Sequence, residues 1–246
     1  MQQNNPTPPT FTEFDGSDLL AELAGEATQK SKARQSDEEM QRAQSEELND
    51  ALNRIFKYFN LFTNHVNTLH PGIARAYGWS TQTEFKDLKW VEGFADFRKQ
   101  SLADNAYLGE VLLRIRLSSP SPVQIKRWWH QIGTLKQELH AHGLRTPLDL
   151  DDMLREQPQQ EMFQLELEPD FQISIRFYGN YTSGQIDIRC HNLEDFGNSM
   201  FNLDPKSITP PFLDELGRFL LGRNAELPET LRNRSATDST LLRSIK

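Results

Sequence analysis

Phe171–His191 reads FQISIRFYGNYTSGQIDIRCH, and its alternation decides the fold class. Phe171, Ile173, Ile175 and Phe177 alternate with Gln172, Ser174, Arg176 and Tyr178. After Gly179–Gly184, Ile186, Ile188 and Cys190 alternate with Asp187, Arg189 and His191. Successive strand side chains point to opposite faces, so one apolar and one polar set at period two describe an antiparallel sheet covered on one side. The short GNYTSG stretch between the runs is rich in turn formers and predicts a hairpin.

The pattern recurs upstream. Val111, Leu113, Ile115 and Leu117 alternate with Leu112, Arg114 and Arg116, and Phe163, Leu165 and Leu167 alternate with Gln164, Glu166 and Glu168. Glu168-Pro169-Asp170 reads as a tight turn pairing the third strand with the fourth. Phe85, Leu88, Trp90, Val91, Phe94 and Phe97 fit a strand bulged at Gly93 as well as a helix, and the strand is the preferred reading.

Two helices are predicted to cover the apolar face. One begins at Ser121-Pro122-Val123-Gln124, a capping-box pattern with Pro at the first helical position. Its stripe is Ile125, Trp128, Ile132, Leu135 and Leu139, and Gly143 ends it. The other begins at Thr209-Pro210-Pro211, carries Phe212, Leu213, Leu216, Phe219 and Leu220, and ends at Gly222. A short helix is expected over 148–155. Trp128 is assigned to packing, and Trp129 to the border of the stripe or to a partner.

N-terminal to the sheet, Leu48, Leu52, Ile55, Phe59, Phe62, Val66 and Leu69 are spaced 4, 3, 4, 3, 4, 3, with Phe56 and Tyr58 flanking them. That is an a/d seam held for three heptads, and Pro71-Gly72 stops it. Two uses fit the seam: a long helix laid on its own domain, or an intermolecular helix pair or coiled coil. The fold class is therefore α+β: a long N-terminal helix, then an antiparallel sheet of about five strands with helices covering one face, in the order α-β-β-α-β-β-β-α. The expected organisation is an acidic, largely disordered or solvated helical arm over 1–47, the amphipathic helix over 48–70, an α+β domain over 73–222, and a loosely ordered tail over 223–246.

Charge follows this division. The 246 residues hold 27 basic and 35 acidic side chains, a net of -8. Residues 1–50 hold 11 acidic and 4 basic residues, 4 - 11 = -7, and the remainder 24 and 23, 23 - 24 = -1. An acidic chain repels nucleic acid and anionic membrane, so neither is an expected partner. The start of the sequence shows no basic stretch followed by an apolar one, and no apolar run reaches the roughly 20 residues of a membrane helix. A cytoplasmic protein is expected. One cysteine, Cys190, excludes an intrachain disulfide and any multi-cysteine metal site, and its parity makes it a buried apolar residue rather than a nucleophile.

No phosphate-binding glycine loop, nucleophile elbow or HExxH occurs, so no catalytic residue, cofactor or metal is assigned. Acidic pairs such as Asp151-Asp152 and Glu194-Asp195 read as caps or solvated loop ends. One constellation remains. Arg114, Arg116, Arg176, Tyr178, Arg189 and His191 share the polar parity of the sheet. Guanidiniums on one face suit a small phosphate or carboxylate ligand. Glu110, Glu166, Glu168 and Asp187 take the same parity, so a cross-strand salt ladder fits too.

The Arg-bearing strands and the Gly179–Gly184 hairpin loosely resemble the PilZ cyclic-dinucleotide domain. Arg114-Ile115-Arg116 and Asn180-Tyr181-Thr182-Ser183-Gly184 depart from both of that family's motifs, so no residue is carried over. An acidic α+β domain with flanking helices also resembles bacterial secretion chaperones, with two strands then three where that family has three then two. The expected function is a non-catalytic interaction or adaptor protein that self-associates or docks a protein partner through its long helix. The alternatives are a sensor of a small anion on the sheet face and a secretion-chaperone-like protein-binding module.

Overall fold

The computed structural model describes residues 18–80, 83–103, 106–145 and 162–235, and the fold is α+β. The chain divides into two units, residues 1–43 and 44–246. In the first, the described element is the start of helix α1 (Asp18–Leu69), whose side chains from Ala21 to Ala43 are all exposed. The stretch from Gln29 onward has helix formers and no apolar stripe, and it is fully helical. The helix thus begins well before residue 48.

The second unit is built on six antiparallel strands: β1 (Gly72–Ile73), β4 (Leu88–Lys99), β5 (Leu108–Ser118), β8 (Asp170–Asn180), β9 (Gln185–His191) and β10 (Asn198–Leu203). They lie side by side in the order β1-β4-β5-β8-β9-β10. Two small ribbons, β2 (Tyr77–Ser80) with β3 (Thr83–Phe85) and β6 (Val123–Trp128) with β7 (Met162–Leu167), stand apart from this sheet. The β8–β9 hairpin is as the alternation predicts, and Leu88–Lys99 forms the strand preferred there over a helix, with Phe85 in β3 instead. The register shifts between Trp90 and Glu92, beside Gly93.

Leu48, Leu52, Ile55 and Phe59 are fully buried, and Val66 nearly so. Phe59 stacks on Phe177 of β8 at 6.2 Å, and Phe62 meets Trp90 of β4 edge-on at 5.9 Å. Of the two uses open to the seam, this is the first: it covers the chain's own sheet, and those residues present no surface to a second helix. Each such side chain contributes on the order of 1.5–3 kcal/mol through the surface it removes from water. Leu69, the last seam position, is 70% exposed.

Helix α3 (Pro210–Leu220) lies beside α1 over the same core. Thr209 caps it, its hydroxyl accepting from the Phe212 N–H at 3.4 Å, and Gly222 ends it in the left-handed region at φ +67°. Gly217 permits the approach of the two helices: a Cβ there would sit 3.0 Å from the Tyr58 hydroxyl and 3.2 Å from the Phe62 ring. The Tyr58 hydroxyl donates to Asp214 at 2.8 Å, and burial pushes its own ionisation above the ordinary tyrosine range.

Several expectations are corrected. Val123–Trp128 is a strand, and α2 spans only Ile132–Ala141, after a 3-10 turn at Trp129–Gln131. The capping-box letters at Ser121-Pro122 are outweighed by pairing of this stretch with Met162–Leu167. The tertiary partner supplies a full ladder, and the alternation of Val123 and Ile125 suits it. The third predicted strand therefore does not pair with the fourth. Glu168-Pro169 hands the chain from the ribbon to the sheet, and the Pro169 carbonyl accepts from Ser119 N–H at 2.9 Å. The two tryptophans exchange roles, Trp128 being 45% exposed and Trp129 half-buried against the core.

The sheet has six strands rather than five: β7 lies in the ribbon, while β1 and β10, for which no strand was predicted, join the sheet. The tail is packed as far as it is described: α4 (Glu229–Ser235) follows Leu227, and Leu227 and Leu231 are buried in the core. The helix expected over 148–155, the Asp151-Asp152 pair and the first fifteen residues lie outside the described residues.

Candidate functional site

Two surfaces follow from this architecture. The first is the polar face of the sheet. Register places Arg114, Ser174, His191 and Asn198 in one row across β5, β8, β9 and β10, and Leu112, Arg176, Arg189 and Met200 in the next. All six predicted anion-site residues share this face, as their parity requires. Arg116 donates through Nε and Nη2 to the two Asp170 oxygens at 2.8 and 2.6 Å, and stands 3.7 Å from Glu92. The Arg116 hydrogen bonds hold the Asp170 carboxyl below its usual range. Arg176 donates to Glu110 at 3.0 Å and to the Tyr178 hydroxyl at 3.4 Å.

These two arginines form the salt ladder. Asp170 and Glu92 are acids of that ladder, whereas Glu166 lies in the β6–β7 ribbon, away from the sheet face. Arg114 and Arg189 differ. Each lies over a ring, Phe94 at 5.9 Å and Tyr178 at 5.0 Å, and no described carboxylate reaches either. His191 Nδ1 lies 3.0 Å from the Asn198 amide oxygen.

The second surface is a groove on the flank of α1, with a volume of about 410 Å³. Asn49, Asn53, Phe56 and Lys57 form one helical stripe beside the buried seam. Phe97 and Lys99 at the end of β4 face them, and Tyr107 and Leu108 close the groove where β5 begins. Phe56 and Phe97 meet edge-to-face at 4.7 Å. Asn49 ties the walls together: its side-chain oxygen accepts from the Leu108 N–H at 2.9 Å, and its carbonyl accepts from Asn53 Nδ2 at 2.9 Å. Tyr181 adds a second brace, stacking on Tyr107 at 5.4 Å and donating to the Leu108 carbonyl at 2.7 Å. Burial pushes its phenol up to about 12.

Phe97 is 38% exposed in this groove. Aromatic side chains that are half-open in a pre-formed hollow are the usual anchors of protein interfaces. The sequence carried part of this site, since Phe56 flanks the seam and Phe97 closes the apolar run of β4. It carried no sign that the two face each other, because 41 positions separate them.

Other chemistry is limited. Cys190 is buried, and burial pushes its thiol up to about 12, which keeps it protonated. Burial, then the neighbouring His191, lowers the His142 pKa. Among the described residues no cluster of His, Cys, Asp or Glu could hold a metal ion, and no helix is long and apolar enough to cross a membrane. No protein-family model, curated protein or solved structure matches the chain.

Proposed function

We propose that the protein is a non-catalytic interaction protein that docks a protein partner, or a second copy of itself, on the flank of α1. The observation that carries this reading is the groove between Asn49–Lys57 on one side and Phe97, Lys99, Tyr107 and Leu108 on the other: an aromatic floor, open to solvent, held where β5 begins by the hydrogen bonds of Leu108 to Asn49 and Tyr181. A braced wall loses little conformational freedom on binding, which favours association. The reading keeps the helix as the docking element but moves the contact from the seam to the adjacent stripe. It places the protein in the cytoplasm.

Photocrosslinking tests it. A benzophenone amino acid at Lys57, in the intact chain in its native cell, should give one discrete adduct, and the same probe at Ser174 on the sheet face should give none. An adduct of doubled mass identifies a second copy. No adduct at Lys57, or adducts of equal yield at both positions, would sink the reading.

A second reading, a sensor of a small anion, is favoured by one observation: Arg114 and Arg189 lack a carboxylate while their neighbours Arg116 and Arg176 have one. A ligand at ten times its dissociation constant stabilises by about 1.4 kcal/mol, which is a melting shift of a few degrees. Inorganic phosphate and adenosine monophosphate at millimolar concentration should produce that shift, and Arg114→Ala or Arg189→Ala should abolish it. An unchanged melting temperature with both anions overturns this reading.

A further inference from the structure

We propose that two copies of the chain pair through the open edge of β4, antiparallel about a two-fold axis at Phe97, a contact beside the groove that stands apart from the reading of the groove itself. β1 covers that edge only opposite Leu88 and Lys89. At Gly93 the side chain of Asn67 takes over, accepting from the N–H at 2.7 Å and donating to the carbonyl at 2.8 Å. Both Gly93 groups therefore point away from β5. The pairing of β4 with β5 runs unbroken from Glu92 to Arg98, and alternate residues of an antiparallel strand turn their groups to the same side. Ala95 and Phe97 thus present N–H and C=O outward, as Gly93 does. Of these groups, among the described residues, only the Phe97 N–H finds a partner, its neighbour Asp96 at 2.8 Å. A strand edge that offers such groups is a template for another strand.

Charge selects the second copy and its register. Asp96 and Arg98 are exposed and share the polar face with Phe94, which lies under Arg114. Arg98 stands opposite Glu110 of β5, but Arg176 holds that carboxylate at 3.0 Å. An axis through Phe97 sets each Asp96 against Arg98 of the other copy, so one run of sequence makes two opposite-charge pairs with itself. An axis through Asp96 would set the two carboxylates face to face, and one through Ala95 would need the Gly93 groups that Asn67 occupies. In the Phe97 register Asp96 exchanges the Phe97 N–H for the guanidinium. That N–H then donates to the Phe97 carbonyl of the second copy. On the other face the two Phe97 rings, each half-open beside its own Phe56, come together and remove apolar surface from water.

Sedimentation velocity of the intact chain and its charge variants tests this. Wild type should move from the mass of one chain toward two as its concentration rises into the high micromolar range. Asp96→Arg and Arg98→Asp should each weaken that association about tenfold, because each turns both opposite-charge pairs into like-charge ones. The double variant D96R/R98D should restore it. An equimolar mixture of the D96R chain with the R98D chain should associate more tightly than either does alone. Both side chains are exposed, so far-UV circular dichroism should be the same in every variant. A wild type that stays a single chain throughout overturns the pairing, as does association that neither single variant weakens. Loss in the single variants with no recovery in the double variant or the mixture overturns it too. A single-chain wild type that still gives a discrete Lys57 adduct to another protein sinks the edge pairing and leaves the groove reading standing.

Discussion

Phe59→Ala is expected to destabilise the protein by about 3–5 kcal/mol, the range for deleting a fully buried phenylalanine that leaves a cavity. Phe59 has no exposed surface and touches three rings: Phe177 of the sheet, and Tyr58 and Phe62 of its own helix. None of these can collapse into the hole without moving either the helix or the sheet. Urea unfolding checks it, and its concentration dependence adds a second readout. A seam spent inside one chain predicts a midpoint loss that is the same at low and high protein concentration. A loss that disappears on raising the concentration would instead make the seam an interface between chains.

Asn67→Ala should cost about 2–5 kcal/mol, a large effect for removing one half-buried amide. Its side-chain oxygen accepts from the Trp90 indole N–H at 2.8 Å and from the Gly93 N–H at 2.7 Å. Its Nδ2 donates to the Gly93 carbonyl at 2.8 Å. Alanine strips partners from three groups where the strand breaks register, and each stranded buried group costs on the order of 1–3 kcal/mol. Water reaching part of this site keeps the total below the sum. Asn67→Asp keeps both accepted bonds but sets a carboxylate oxygen against the Gly93 carbonyl that Nδ2 served, so it should destabilise as well. An unfolding midpoint unchanged in both variants would show that Asn67 is not the clamp. Gly93 belongs to the same device, because a Cβ there would collide with the Trp90 ring that Asn67 holds in place.

Both predictions concern how α1 is fastened to the sheet, and they bear on function through the groove. Asn49 fastens the same helix to the start of β5, five turns before Asn67 fastens it to β4. Between these two clamps the stripe of Asn53, Phe56 and Lys57 is presented in a fixed position. A partner meeting that stripe binds a wall that does not need ordering first.

Much of this was written locally. The strands β5, β8 and β9 announce themselves by alternation, and Gly179–Gly184 turns between the last two as a hairpin. The helix that begins after Thr209 carries its cap, its proline and its terminating glycine within fourteen residues of chain. Each of these signals is decided by neighbours a few positions away, where backbone hydrogen bonding and side-chain parity act.

The failures share one cause. Ser121-Pro122-Val123-Gln124 is a sound helix start by its own letters, yet Val123–Trp128 pairs with a strand more than thirty residues later. Propensity differences of a few tenths of a kcal/mol per residue lose to a complete ladder of backbone hydrogen bonds. The polar sheet face was foreseen as a set of residues but not as a set of pairs. Parity names Arg114, Arg116, Arg176 and Arg189 together, and only register separates the two that meet carboxylates from the two that meet rings.

By itself the sequence determined the α+β class, the polarity of the sheet faces, the second capped helix, and the fact that residues 48–66 need an apolar partner. Tertiary structure decided what that partner is. A heptad stripe records how much apolar surface a helix must bury and is silent on whose surface covers it, since water is expelled equally by the chain's own sheet or by another molecule. Once the sheet took the seam, the adjacent stripe was left at the edge of the core, and β4 and β5 brought Phe97 and Leu108 against it. The groove exists because distant segments converge there, and no local pattern encodes that convergence.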